Sequence, residues 1–172
     1  LRPGARNSRS TLARREYGTG VDIPEVQPFP PDAFSRVLCV VAHPDDVEYG
    51  TSSAVAAWTA AGVDVAYLLL TRGEAGMDAL SPADTAQLRM REQIAASHEV
   101  GVSDVTFLEY PDGVLEYGLA LRRDVARHIR AYRPDAIVIG SYEVEFFVGL
   151  NQADHRVAGL VTIDALRLQG RE

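Results

Sequence analysis

Val37-Leu38-Cys39-Val40-Val41-Ala42-His43-Pro44-Asp45-Asp46 is the stretch that decides the fold. Five consecutive apolar residues without polar alternation read as a strand buried on both faces, the mark of a parallel sheet covered by helices. The run then breaks into a histidine, a proline and two acids, so the chain leaves a buried strand for a polar loop. Outward from this point the pattern repeats. A helix is expected from about Val47 to Ala61, ended by Gly62, and Val65 to Leu70 reads as a second buried strand. A glycine-rich loop, Thr71 to Gly76, follows. Ser81-Pro82 opens a helix with proline at its first position, ending near Gly101. Val105 to Leu108 is a third strand, closed by the turn Tyr110-Pro111-Asp112-Gly113. Leu121, Val125, Ile129 and Tyr132 form a helical stripe ended by Pro134, Ala136 to Ile139 a fourth strand, and Val157, Leu160, Val161 and Leu168 a last helix. Trp58 belongs to the core or an interface, and Cys39 is a small core residue. Only Ser141 to Leu150 resists this reading: it carries Phe146-Phe147 and no clear turn, as if residues were missing.

Alternating strands and helices predict an α/β fold, a Rossmann-like parallel sheet with helices on both faces and the active site at the carboxyl ends of the strands. Residues 1–34, rich in Arg, Gly and Pro without periodicity, read as an N-terminal arm or linker that packs on the domain through Phe29 and Phe34. Residues 35–172 form the domain. The sequence starts at Leu1 and stops just after a helical pattern, so the domain is expected to be incomplete at its C-terminus.

Composition narrows the chemistry. All 17 basic residues are arginine. Without lysine there is neither a GxxxxGK phosphate loop nor lysine Schiff-base catalysis. One cysteine excludes an intrachain disulfide and a cysteine-rich zinc cluster. A net charge of −7 argues against a nucleic-acid partner. No apolar run reaches the roughly 18–20 residues of a membrane span, and the arginine-rich start is no signal peptide. The expected location is cytoplasmic.

The polar residues gather where the predicted strands end: His43, Asp45 and Asp46 after the first, Glu74 after the second, Asp112 after the third, and Asn151, Gln152, Asp154 and His155 after the fourth. His43 and Asp46, three apart, can converge on one ion, and His155 would complete a two-histidine, one-carboxylate set. That set suits zinc with an open position and equally resembles the facial triad of ferrous enzymes. Bound zinc lowers the pKa of its water to about 7, and Asp45, pointing away from the ion, is placed to take that proton. An acidic pair after the first strand also occurs in phosphoryl-transfer α/β domains, but those normally need a lysine. Helix capping by these residues is a third reading; it leaves the acids at the other strand ends unexplained.

The AHPDD segment at 42–46, the GEAG loop at 73–76, Arg89-x-x-Glu92, the YPDG turn at 110–113 and NQADHRVAG at 151–159, in this order from about Val37 to Leu168, resemble the PIG-L/LmbE-like zinc-dependent de-N-acetylases. The resemblance implies a metal-dependent hydrolase that removes an acetyl group from an N-acetylated amino sugar or glycoconjugate, with one Zn2+ per chain and other divalent transition metals as alternatives. It implies His43, Asp46 and His155 as zinc ligands, Asp45 as general base, and Arg89 and Asp112 in the sugar pocket; Glu92, three positions from Arg89 on one helix face, is placed to orient its guanidinium. Glu74 is counted with the substrate-binding residues, Gln152 and Asp154 with the catalytic ones. Many members have histidine where Gln152 stands. Glutamine donates a hydrogen bond but supplies no proton at neutral pH. A non-catalytic descendant binding sugar or metal is therefore the alternative. The implied partner is a small N-acetylated sugar or glycoconjugate, a homo-oligomer is compatible, and His98 and His128 read as surface or rim residues.

Overall fold

The computed structural model describes residues 33–146 and 149–167. Four strands, β1 (Arg36–Val41), β2 (Asp64–Leu69), β3 (Asp104–Phe107) and β4 (Ala136–Ile139), form one parallel sheet in the order β3-β2-β1-β4. β1 lies at the centre, with Val37 opposite Val65 on one side and Ala136 on the other. The apolar run that opened the sequence is thus the middle of the sheet, and Val37, Cys39 and Val40 are fully buried.

Because side chains alternate along a strand, β1 feeds two cores. Leu38, Val40 and Ala42 pack with Leu121, Val125 and Ile129 of α4 (Leu119–Tyr132) and with Ala158, Val161 and Ala165 of α5 (Ala153–Leu166). Val37, Cys39 and Val41 pack with Val47 of α1 (Asp46–Gly50) and Val55 of α2 (Ser52–Ala60), and with Trp58 at the margin. Each fully buried Val or Leu contributes about 1.5–3 kcal/mol of hydrophobic free energy, so both faces of β1 stabilise the sheet. Burial pushes the Cys39 thiol up to about 12, so it stays protonated and serves as a core residue. Phe34 sits edge-on against Trp58 at 5.3 Å, the expected anchor of the preceding segment; Phe29 and residues 1–32 lie outside the described residues.

The structure corrects two local expectations and supplies the start of the last helix. The single helix after β1 is two, because the chain breaks at Thr51, φ −136°, directly after Gly50, a weak helix former. The last helix starts at Ala153, so Asp154 and His155 lie on its first turn. The unreadable stretch holds a short antiparallel pair, β5 (Glu145–Phe146) with β6 (Gly149–Leu150). Asn151 ties down the start of this segment by donating to the carbonyls of Ser141 and Glu143. The remaining helix, α3 (Pro82–Glu99), begins as its sequence dictates: Ser81 caps it by accepting from the Asp84 amide, with proline at the first position.

The strand order has one consequence for function. The connection from β1 runs one way to β2 and β3, and the chain then returns across the sheet to β4. The order therefore reverses between β1 and β4, the crevice where open parallel sheets bind ligands.

Candidate functional site

The chain emerging from β1 turns at His43-Pro44-Asp45 and enters α1 at Asp46. Asp46 folds back on this turn, its Oδ2 accepting from the amides of Ala42 and His43 at 3.0 Å each. Its Oδ1 faces Nε2 of His155 at 3.0 Å, and its Oδ2 lies 3.7 Å from Nδ1 of His43. Burial alone would raise the Asp46 pKa, but the hydrogen bonds from His155 and His43 outweigh it and hold the carboxyl well below the usual range. His43, Asp46 and His155 each bring a ligand atom within 4.8 Å of the others and could hold a metal ion.

The other side of the His43 ring is buried among acids. Its Nε2 lies 3.1 Å from Asp112 Oδ1 and 3.2 Å from Asp154 Oδ2. Burial disfavours charge on the ring, yet Asp46, Asp154 and Asp112 together raise its pKa above the ordinary value. Two acceptors at Nε2 call for a proton there, so Nδ1, on the Asp46 side, is the nitrogen that a metal would take on displacing its proton. This is the arrangement of a metal-ligating histidine whose far nitrogen donates to a carboxylate. His43, Asp112 and Asp154 form a second group of possible ligands. Their carboxylates, however, are already engaged. Asp154, 1% exposed, accepts from the amides of Gly113 and Leu115, and Asp112 Oδ2 accepts from the Ala75 amide. The first group opens on the cleft and fits a metal better.

Asp45 stands apart from both groups. Its backbone is left-handed, φ 89°, and its side chain is about half exposed. Such a conformation costs an L-residue roughly 1–2 kcal/mol. Arg89 Nη2 meets the Asp45 carboxylate at 2.7 Å and donates to the Pro44 carbonyl at 2.6 Å, while Nη1 reaches the Gly73 carbonyl. Partial burial raises the Asp45 pKa and the Arg89 charge pulls it the other way, with the net upward. The glycines of the GEAG loop make this possible. A Cβ at Gly73 or Gly76 would collide with the Arg89 guanidinium, and Gly73 also has φ 70°. The sequence expectation for Glu92 is corrected: it is exposed, and among the described residues no hydrogen bond or ion pair joins it to Arg89, because Asp45 and two carbonyls take the guanidinium. Glu74 holds the neighbouring loop, its Oε1 accepting from the Asp112 amide; its Oε2 is buried without a partner.

These residues line one cleft of about 570 Å³, within the range of small-molecule sites. His43, Asp45, Asp46, Arg89, Asp112, Gln152 and His155 all reach it; Glu74 and Asp154 lie behind its wall. Gln152 is the N-cap residue of α5, yet its side chain makes no capping bond and remains available to the cleft. Two contributors went unnoticed in the sequence. Tyr49, 90% exposed, stands at the lip of the cleft and of the adjoining crevice between β1 and β4. Gln93, buried on α3, accepts from the Asp45 amide. A polar residue on the same helix face as Arg89, four positions on, was the available signal. His98 is exposed and His128 half-buried, both outside the cleft.

A parallel α/β sheet with a histidine–carboxylate cluster at its carboxyl ends defines a potential metal-binding site at a switch point. The family model described as PIG-L: GlcNAc-PI de-N-acetylase matches residues 38–166, and the chain belongs to that family. It is 31% identical over 137 residues, 78% of this chain and 50% of the relative, to a diacetylchitobiose deacetylase from Thermococcus kodakarensis. It is 42% identical over 84 residues, 45% of this chain and 23% of the relative, to a 1D-myo-inositol 2-acetamido-2-deoxy-alpha-D-glucopyranoside deacetylase from Kineococcus radiotolerans. Its fold is similar to that of an N,N'-diacetylchitobiose deacetylase from Pyrococcus horikoshii solved with an inhibitor, at TM-score 0.75 and 26% identity, covering 80% of this chain and 51% of that one. The chain thus spans about half of the two chitobiose deacetylases and about a quarter of the inositol-sugar deacetylase. Among the described residues, no helix is long and apolar enough to cross a membrane.

Proposed function

We propose that this chain catalyses hydrolysis of the acetamide of an N-acetylated amino sugar or glycoconjugate, with zinc held by His43, Asp46 and His155. The observation that carries the reading is the pairing, in one cleft, of that ligand set with a half-exposed carboxylate, Asp45, that belongs to neither ligand group. Relatives described as deacetylases of N-acetylated sugars support it. When bound, zinc would supply a nucleophilic water at neutral pH and polarise the substrate carbonyl.

The protein's own groups do the rest. Asp45 accepts a proton from the attacking water. After addition to the carbonyl, the same carboxyl returns that proton to the nitrogen as the carbon–nitrogen bond breaks, giving acetate and a free amine. Arg89 keeps the Asp45 carboxylate at its post. Gln152 donates from its amide to the substrate oxygen as charge develops there. Asp154 acts as a positioning residue: it holds the His43 ring with Nδ1 presented to the metal side, and it touches no substrate. Asp112 shares that hold on His43 and, at the cleft wall beside Arg89, can meet sugar hydroxyls.

Metal analysis together with acetate release from N-acetylglucosamine and N,N'-diacetylchitobiose tests the reading. About one zinc per chain and stoichiometric acetate and amine are expected. Metal binding and sugar binding without acetate release would favour a non-catalytic binding protein, the outcome that Gln152 makes concrete. Absence of metal binding would overturn the ligand assignment.

A further inference from the structure

We propose that Gln93 is a positioning residue for the reaction, fixing the backbone of Asp45 so that its carboxylate faces the cleft. The inference rests on the reading of Asp45 as the proton carrier. Gln93 is 3% exposed on α3, one turn beyond Arg89. Its Oε1 accepts from the Asp45 amide at 2.8 Å, and its Nε2 donates to Glu48 Oε1 at 2.7 Å and to Ser97 Oγ at 3.3 Å. These partners fix which way the amide points. A carboxylate such as Glu48 only accepts, so Nε2 faces it and Oε1 faces the Asp45 N–H.

Asp45 needs such a hold. Among the described residues it is one of two non-glycine residues with positive φ. The other, Arg133, follows the last turn of α4, where a left-handed residue is routine. Asp45 precedes a helix; local bonds occupy its carbonyl, which accepts from the Tyr49 amide, but its own amide is held by a tertiary bond. Arg89 grips the carboxylate but not the main chain of Asp45, and the same Nη2 also bonds the Pro44 carbonyl. Among the described residues, Gln93 is the one that grips the Asp45 amide. With that bond removed, Asp45 can relax to negative φ and carry its carboxylate away from the cleft, while Arg89 keeps Pro44 and Gly73.

The test is a cycle of variants assayed on N,N'-diacetylchitobiose, with zinc content measured in each. Gln93→Ala is expected to lower kcat by about 10- to 100-fold, the scale of a misplaced reacting group, with KM nearly constant and zinc retained. In the Asp45→Asn background the same change should alter kcat by less than about twofold, because the group it positions is already gone. A polarity swap, Gln93→Glu with Glu48→Gln, restores the acceptor for the Asp45 amide and a donor between the pair, and should recover most of kcat. The Asp45 amide should exchange with solvent faster in Gln93→Ala than in the wild type. An equal loss of kcat in both backgrounds, a loss that follows zinc content, or unchanged Asp45 exchange would overturn the proposal. If the wild-type chain releases no acetate, the reaction assignment fails, and Asp45 amide exchange decides the role of Gln93 by itself.

Discussion

Asp45 and Asp154 are two acids near the same histidine, and the fold treats them in opposite ways. Asp154 is 1% exposed and gives its oxygens to two amides and the His43 ring. Asp45 is half exposed, with its carboxylate met by one arginine. The Asp154 oxygens are committed to three donors in the interior, whereas the Asp45 carboxylate opens on the cleft, where it can meet substrate. The difference teaches that depth and partners, not proximity to the metal ligands, separate an acid that positions from an acid that can do proton chemistry.

The comparison breaks or sharpens at four substitutions. Asp45→Asn is expected to have the largest effect, a loss of about two to four orders of magnitude in kcat with zinc content and fold intact, the usual scale of general acid–base catalysis. Kinetics at matched zinc occupancy check it; full activity in this variant would erase the distinction between the two acids. Gln152→Ala comes next, at about one to three decades in kcat, as for one lost donor to the developing charge. A larger loss here than in Asp45→Asn would move the proton chemistry elsewhere in the cleft.

Asp154→Asn should act on metal rather than on the chemical step. Losing the anchor of the far His43 nitrogen is expected to weaken zinc binding by about 10- to 100-fold, read by competition with a chelator. Activity at saturating zinc should recover in this variant and not in Asp45→Asn. The smallest effect is expected at the opposite end of the sheet, at Asp135. Hydrogen bonds from the Ser35 amide, the Ser35 hydroxyl and the Arg36 amide hold its carboxyl below the usual range. A depressed folded-state pKa contributes stability that is present above the unfolded value, about 3.9, and is lost as pH falls through the folded one. Asp135→Asn should therefore lower Tm modestly at pH 7, and the gap from wild type should close as the solution is taken below about pH 4. Thermal unfolding at several pH values checks it, and a gap independent of pH would assign the effect to packing instead.

The sequence by itself determined the sheet, because burial on both faces leaves its record in consecutive residues. Val37 to Val41 read as a strand buried on both faces, and the alternation of four strand segments with helical patterns pointed to a parallel sheet; its order, with β1 at the centre, came from the structure. That logic also placed His43 and Asp46 just after the first strand and His155 beyond the fourth, at the same end of the sheet, before any coordinates. Tertiary structure alone decided what each side chain does there. The left-handed turn at Asp45, the Arg89 guanidinium passing between Gly73 and Gly76 to reach it, the buried Gln93 amide and the acids behind His43 all depend on contacts between residues 16 to 111 positions apart. Periodicity records which face of an element is buried. It holds no record of which distant donor meets which acceptor, because that pairing is fixed only when the separate elements have packed.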